Sequence, residues 1–449
     1  MLNFLRKIVP EFLISWYHFI LSFLGAFFYG FPSKKLIVIG ITGTNGKSTI
    51  VDLITRILEE SGEKVCSLSS IRFKIGSKEQ INDLKMTMPG RFKIQGFLKE
   101  AVTSGCRYAV LEVTSEGIKQ HRHRFINFQT AIFTNLTPEH IEAHGSFEKY
   151  KEAKGKLFKA TKKIHILNLN DENTDYFLQF PADLKIGYGL KISNFPVSNE
   201  ERDPLKGCFS ISKQIPNSKF QMLIAKNPKT SGKEIEFSID SINFKIKLLG
   251  KFNIYNCLAA IAFAKSQKIS LKICKKALEK VKGIPGRMEE VIQKPFKVFV
   301  DYAFTPNALE KVYQTIINNF RPKKLICVLG AAGGGRDKWK RPVLGELAGK
   351  YCDQIIITNE DPYNEDPLQI LSEIKSGVIS YKLHLVSEIL DRREAIRKSL
   401  KSAQSGDLII ITGKGCEPWI CVAKGKKISW DDRRVVKEEF GKLKIPLAP

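Results

Sequence analysis

The sequence predicts an α/β fold: two successive sets of largely parallel strands, antiparallel hairpins between them, and an apolar helix in front. Three observations predict it. Short apolar runs alternate with helical patterns from residue 36 onward, the signature of parallel sheets covered by helices. A strand, a glycine-rich turn and a helix follow one another over 36–60. The chain of 449 residues also exceeds one ordinary core, so two or three domains are expected.

The first element is the apolar run. Phe12 to Phe31 carries no Asp, Glu, Lys or Arg over twenty residues and lies between Arg6/Lys7 and Lys34/Lys35. That length can cross a bilayer. His18, two serines and the aromatics Trp16, Tyr17, Phe19, Phe23, Phe27, Phe28 and Tyr29 favour the membrane interface instead. Membrane contact through 12–31 is expected, by spanning or by lying flat. The plain alternative is a greasy helix packed on the protein or on a second subunit. A signal peptide is not expected, because the run leads straight into a nucleotide-binding strand.

Next comes Leu36-Ile-Val-Ile-Gly-Ile-Thr42, a buried strand, and then Gly43-Thr-Asn-Gly-Lys-Ser-Thr49 opening a helix from Ser48 to about 60. Gly43 and Gly46 let backbone N–H groups turn toward an anion, Lys47 supplies a point charge for terminal phosphates, and Ser48 offers a hydroxyl to Mg²⁺. Thr44, Asn45 and Thr49 complete the cradle, which makes ATP the expected ligand. The strict phosphate-loop pattern wants glycine where Ile41 stands; the spacing here is Gly40-x-x-Gly43-x-x-Gly46.

Further strands are expected over 108–113, 130–134 and 164–169, with helices over 91–103 and 147–160. Glu112 falls at the carboxyl end of its strand, where open α/β sheets bind ligands and where a carboxylate can hold Mg²⁺. Residues 205–249 alternate apolar and polar positions, broken by Asn227-Pro228 and Ser231-Gly232, and read as antiparallel hairpins. Helices follow over 254–266 and 271–281. Gly283-Ile-Pro-Gly286 is the best linker, and a second α/β set has strands over 296–300, 324–329, 354–358 and 408–412. The expected division is 1–35, 36–283 and 284–449.

Composition narrows the function. Lys+Arg number 72 against 46 Asp+Glu, a net +26. The excess is spread along the chain without a zinc finger, an RNA-recognition signature or an arginine-rich tail, so anionic small ligands are expected rather than nucleic acid. Nine cysteines, an odd number without a C-x-x-C pair, point to a reduced cytoplasmic compartment and no zinc site.

Several segments follow one another: Leu111-Glu-Val-Thr-Ser-Glu116, Phe133-Thr-Asn-Leu-Thr-Pro-Glu-His-Ile-Glu-Ala-His-Gly145, Tyr150-Lys-Glu-Ala-Lys-Gly-Lys-Leu-Phe158, Asn168-Leu-Asn-Asp-Glu172, Gly250-Lys-Phe-Asn-Ile-Tyr-Asn256, Gly286-Arg-Met-Glu289, Val300-Asp-Tyr-Ala-Phe-Thr-Pro-Asn-Ala-Leu309, Gly333-Gly-Gly-Arg-Asp-Lys-Trp-Lys-Arg-Pro342, Asn359-Glu-Asp-Pro-Tyr-Asn-Glu-Asp-Pro367 and Gly413-Lys-Gly-Cys-Glu417. Together they resemble the Mur ligase family, in its muramyl-tripeptide-synthetase type, over nearly everything after residue 36. The resemblance implies a central ATPase domain followed by a Rossmann-like C-terminal domain. It implies that Lys47 neutralises the β and γ phosphates, that Ser48 and Glu112 hold one Mg²⁺, and that His140 and Lys154 serve a second, with Lys154 carbamylated. Mg²⁺ wants hard oxygen ligands, which a carbamate supplies and an ammonium does not. Asn253 and Asn256 would line the adenine pocket, and Arg287 and Asp301 would reach ATP from the far domain.

By the same resemblance, Thr87, Thr114, Gln120 and Arg122 hold a muramyl dipeptide; the apolar run over 12–31 adds the expectation that the enzyme works in the cytoplasm at the inner face of the membrane. Arg336, Asn359, Asp361, Gly413 and Glu417 surround the incoming amino acid. The implied reaction is ATP-driven amide formation through an acyl phosphate.

Departures accompany the likeness. The family's diaminopimelate-selecting Asp-Asn-Pro-Arg corresponds to Glu360-Asp-Pro-Tyr363, which lacks the bidentate arginine and leaves diaminopimelate, lysine or a similar amine open. Phe304 and Cys416 replace family histidines, and Glu139 an aspartate. Only 42 residues precede Gly43, too few for the family's uridine-gripping domain, so weaker uridine recognition or a membrane-bound acceptor is expected. Folylpolyglutamate-synthetase-like and MurT-like ligases, and a tethered ATP-binding scaffold without catalysis, are the alternatives.

Overall fold

The structure is a computed structural model and describes residues 9–84, 86–190, 219–378 and 380–443. Helix α1 spans Glu11–Phe28. The chain then enters strand β1 (Ile37–Thr42), helix α2 (Lys47–Glu60) and strands β2 (Val65–Leu68), β3 (Arg72–Ile75) and β4 (Lys78–Ile81). Helix α3 (Arg91–Thr103), β5 (Tyr108–Glu112), α4 (Ser115–Lys119), β6 (Phe128–Phe133), α5 (Ile141–His144), α6 (Phe147–Ala160) and β7 (Ile164–Asn168) follow. Then come α7 (Thr174–Leu178), β8 (Leu184–Leu190), the strands β9 (Lys219–Ser231), β10 (Glu234–Ile239) and β11 (Ile242–Ile246), and helices α8 (Phe252–Ser266) and α9 (Leu271–Glu279).

These strands form one eleven-stranded sheet in the order β11-β10-β9-β8-β7-β6-β1-β5-β2-β3-β4. The middle of it, from β9 to β2, is parallel throughout. Both ends turn antiparallel. Apolar side chains cover both faces: Ile50, Leu53, Ile54 and Ile57 of α2 with the apolar run 257–264 of α8 on one, and Ile94 and Leu98 of α3 with Leu157 and Phe158 of α6 on the other. Strands buried on both faces read as continuous apolar runs, as in Ile-Val-Ile-Gly-Ile of β1.

Beyond Gly286 a second sheet holds β12 (Glu289–Ile292), β13 (Lys297–Val300), β14 (Leu325–Leu329), β15 (Gln354–Thr358), β16 (Val386–Ile389) and β17 (Leu408–Ile411) in the order β12-β13-β17-β14-β15-β16. All but the edge strand β12 run parallel. Helices α10 (Pro306–Phe320), α11 (Lys340–Tyr351), α12 (Pro367–Lys375), α13 (Arg392–Ser402) and α14 (Asp432–Gly441) pack around it.

Three expectations change. Asn227-Pro228 does not break a strand: Asn227 takes a left-handed φ of 51°, and β9 continues through Pro228 to turn only at Ser231-Gly232. The register against β10 shifts there, as at a bulge, where an absent N–H is tolerated. The start of the expected hairpin region, 205–218, lies outside the described residues. Second, strands β2 to β4 and β8 escaped the sequence reading, because β2, β3 and β4 are only four residues each and β8 is interrupted by a lysine and two glycines.

The third change concerns the apolar run. Among the described residues no helix is long and apolar enough to cross a membrane, which overturns the spanning alternative for 12–31. Ser15, His18 and Ser22 dilute the helix, and Gly30 and Phe31, both at positive φ, end it ahead of Pro32. At 18 residues it is about 27 Å long.

Candidate active site

Strand β1 has β6 on one side and β5 on the other, so chain connections diverge at its carboxyl end. Open α/β sheets form their ligand crevice at such a point. The turn after β1 fits an anion cradle. Gly43 has φ 146° and a Cβ there would run into Thr134; Gly46 has φ 84° and a Cβ would run into the Asn256 amide. The Thr44 and Asn45 N–H groups donate to the Asn135 carbonyl (2.8 Å) and side-chain oxygen (2.9 Å), which fixes the loop against the end of β6. Lys47 folds back to donate to the Thr44 carbonyl at 2.7 Å and lies 3.9 Å from Glu112.

Glu112 ends β5 and is 3% exposed. Its Oε2 accepts from the Ser48 hydroxyl at 2.7 Å and from the Ser70 N–H at 3.0 Å. One hydroxyl and one carboxylate are therefore held together beside a lysine, a hard oxygen donor pair suited to Mg²⁺. Ser70 was not singled out in the sequence; it sits in the turn after β2, a strand that the apolar pattern did not reveal.

His140 and Lys154 reach the same cleft around the buried Tyr150 ring, His140 5.8 Å from it between ring centroids and the Lys154 ammonium nitrogen 4.5 Å from its centroid. Burial pushes the His140 imidazole down to about 2, with Arg336 and Lys154 adding to the effect, so it is a neutral nitrogen donor. Lys154 is 2% exposed and donates to the Gly43 carbonyl at 2.8 Å. Burial, and next the Lys47 charge, hold its amine well below the ordinary lysine value. Among the described residues no three His, Cys, Asp or Glu side chains gather as a metal group. Ser48, Glu112 and His140 supply donors as they stand, while an unmodified Lys154 supplies no oxygen.

Asn253 and Asn256 lie at the start of α8, Asn256 donating to Asn253 at 2.7 Å and Asn253 to the Leu249 carbonyl at 2.7 Å. From the second sheet, Asp301 accepts the Met288 and Ala303 N–H groups at 2.7 and 2.6 Å. Burial raises its carboxyl pKa against the pull of Arg287. Arg287 stacks over the Tyr302 ring at 4.3 Å.

These groups share one cleft of about 1130 Å³ between the two sheets, with Thr49, Thr87, Thr114, Gln120 and Arg122 from one wall and Arg336, Asp361 and Glu417 from the other. Thr114 caps α4 through the Gly117 N–H, and Arg122 donates to Gln120 at 2.7 Å. Lys414 is clamped by Asp361 at 3.0 Å and Glu417 at 2.6 Å, and Tyr302 donates to Glu417 at 2.9 Å. Asn359 and Gly413 stand behind the wall. The Asn359 carbonyl accepts from Arg392 at 3.2 Å, and Gly413, at φ 103°, backs onto Glu360.

Lys340 falls in the segment 333–342 that carries the resemblance, but the sequence assigned it no role. It crosses from the second sheet's side to Glu139 at 2.7 Å, both side chains almost wholly buried, and lies over the Phe304 ring.

Comparison with known proteins bears on this cleft. Residues 41–264 match the Mur ligase middle domain and residues 286–415 the Mur ligase glutamate ligase domain. A UDP-N-acetylmuramoyl-L-alanyl-D-glutamate–2,6-diaminopimelate ligase from Syntrophomonas wolfei is 36% identical over 430 residues, covering 94% of this chain and 82% of its own. The enzyme of the same name from Aquifex aeolicus is 38% identical over 419 residues, covering 92% and 79%. A solved structure of a ligase with that name superposes with a TM-score of 0.56 at 28% identity, covering 90% of this chain and 78% of the other.

Proposed function

This chain belongs to the Mur ligase family, in the type that makes the muramyl tripeptide. On that premise we propose that it joins an amino acid to UDP-N-acetylmuramoyl-L-alanyl-D-glutamate, or a close acceptor, at the expense of ATP in the cytoplasm. The observation that supports this most is the convergence of Ser48, Glu112 and Lys47 with His140, Lys154, Arg287 and Asp301 on one cleft.

In this reading the Gly43–Thr49 turn and Lys47 bind the β and γ phosphates. The acceptor carboxylate, oriented by Thr87, Thr114, Gln120 and Arg122, attacks the γ-phosphorus; ADP leaves and an acyl phosphate forms. The amine of the incoming amino acid, placed between Arg336, Asp361 and Glu417, then attacks the acyl carbon and expels phosphate. The protein contributes charge neutralisation and alignment. Mg²⁺, in two sites formed by Ser48 and Glu112 and by His140 and Lys154, would neutralise phosphate charge. The depressed amine of Lys154 favours its carbamate, since the neutral amine is the form that adds to CO₂. Asn253 and Asn256 face the base, and the domains divide near residue 283.

The amine substrate is read from two facts that pull apart. The relatives above are named for 2,6-diaminopimelate, whereas the resemblance of Glu360-Asp-Pro-Tyr363 to the family's Asp-Asn-Pro-Arg implies a tyrosine in place of a carboxylate-clamping arginine. The deciding experiment measures phosphate release by the full chain with ATP, Mg²⁺ and UDP-N-acetylmuramoyl-L-alanyl-D-glutamate against a panel of amino acids, products identified by mass. A tripeptide product with diaminopimelate, lysine or a similar diamine is expected. Absence of amide product with every amine would overturn the reading.

A further inference from the structure

Helix α1 is amphipathic in the reverse sense to a helix that covers a core in water. Its polar and small residues face the protein. Ser15 hydrogen-bonds the His121 ring at 2.8 Å, Ser22 donates to the His121 carbonyl at 2.9 Å, and His18 pairs with the Arg91 guanidinium. Gly25 lies so close to α3 that an added Cβ would sit 3.4 Å from the Arg91 carbonyl oxygen, and Ala26 is fully buried. The outward side is aromatic and aliphatic, without a charged residue: Phe12, Trp16, Tyr17, Ile20, Phe27 and Phe28 are all exposed, Trp16 by 62% and Phe28 by 73%. Phe92 of α3 is exposed next to Phe28, their ring centroids 6.4 Å apart, and extends the patch. An apolar face of this size rimmed by polar groups marks a contact surface.

We propose that this face docks on an anionic lipid bilayer, with α1 lying in the interface plane. Three features select that occupant. The face is rich in Trp, Tyr and Phe, which partition to the headgroup boundary. Exposed basic residues border it: Lys34 and Lys35 after the helix, Lys93 beside Phe92, and Arg124 next to Phe125, whose ring packs on Phe19 and Phe23. The sequence just ahead adds Arg6 and Lys7, and the whole chain carries +26. A basic rim is complementary to anionic headgroups, whereas two copies meeting face to face would oppose like charges. The helix is too short and too polar to cross, so it lies flat.

The docked face is joined to the acceptor side of the cleft. Arg91, which holds His18, also donates to the Gln120 carbonyl at 3.1 Å, and the His121 to Phe125 segment that α1 grips follows Gln120 directly and contains Arg122. A bilayer at α1 therefore sits against the wall that carries those two residues. The docking inference depends on α1 alone; phosphate release assayed on the same proteins reports separately on the ligase reading.

The test is co-sedimentation of the full chain with vesicles of pure phosphatidylcholine or of phosphatidylcholine with phosphatidylglycerol. Binding to the anionic vesicles is expected. A variant with Trp16→Gln, Phe27→Gln and Phe28→Gln should lose it while keeping the wild-type thermal transition, since these side chains point outward. Lys34→Gln with Lys35→Gln should weaken binding about thirtyfold, from the worth of each of the two basic residues at a charged surface. The proposal is overturned if the wild type stays in the supernatant with anionic vesicles, or if the three-glutamine variant binds them as well as wild type. It is overturned equally if light scattering finds a lipid-free dimer that the same variant dissociates, which would assign the face to a second copy.

Discussion

Glu112 and Lys154 carry the residue-scale argument, because each is buried where an ion is costly without partners. Glu112 is kept by Ser48, Ser70 and Lys47. Glu112→Ala is expected to cut phosphate release by about 10² to 10³-fold, and isothermal titration should show whether nucleotide binding without Mg²⁺ survives, as it should. Lys154 is a test of chemistry rather than charge. Lys154→Arg keeps a cation that does not deprotonate in proteins, so it cannot form a carbamate and should be inactive. The wild-type protein in ¹³C-bicarbonate should show a carbamate carbon by NMR, and a spectrum without one while activity is full would rule the modification out. Gly46 is a third such position. Gly46→Ala places a Cβ at φ 84° against Asn256, costing about 1–2 kcal/mol for the left-handed residue alone, and should weaken ATP binding in the same titration.

At the scale of elements, pairs of helices in the second sheet's outer layer are tied by charge. Helix α13 presents Arg393 and Arg397 to Glu439 of α14, at 2.8 and 2.6 Å, and Arg392 forks onto Asp432. The hydrogen bond from Arg397, more than any other cause, holds the Glu439 carboxyl at about 2 instead of the ordinary 4.5. A depressed carboxylate stabilises the fold fully above its unfolded value and loses that contribution as pH falls through its folded value. Stability should therefore decline between pH 4.5 and about 2, and Glu439→Gln should flatten that limb while lowering the neutral-pH melting temperature. Thermal melts of the two proteins across that window check it; parallel curves would contradict the assignment. Helix α6, which carries Lys154, starts from Ser146 accepting the Lys149 N–H at 3.2 Å.

For the whole molecule the decisive contact is the buried Glu139–Lys340 pair between the two sheets' domains. Around it Glu142 accepts the Lys338 N–H at 2.6 Å and donates its own N–H to Asp337 at 2.9 Å. Burial raises the Glu139 pKa against the pull of Lys340. Lys340→Met would strand that carboxylate, a loss of about 3–5 kcal/mol when one partner of a buried pair is removed. Since separating the domains hydrates Glu139, the variant is expected to relieve the cost by opening. Small-angle scattering should give a larger radius of gyration than wild type, and an unchanged radius would show that the pair does not hold the cleft shut.

The sequence by itself determined the order of the elements and the phosphate turn. Those are local: an apolar run into Gly-x-x-Gly-Lys-Ser needs only its own backbone preferences, and α3 and α6 fall where their periodicity puts them. It also placed Glu112 at a strand end, because strand and carboxylate are neighbours in the chain. Tertiary structure decided the rest. Ser70 joins Glu112 across 42 positions and Lys340 joins Glu139 across 201, and no local pattern records such distances. The apolar run shows the same division. Composition made residues 12–31 greasy, but only packing settled that serine, histidine and glycine turn inward to meet His121 and Arg91. That leaves the aromatics outside, because the buried hydrogen-bonding groups of that wall needed partners which the apolar face could not supply.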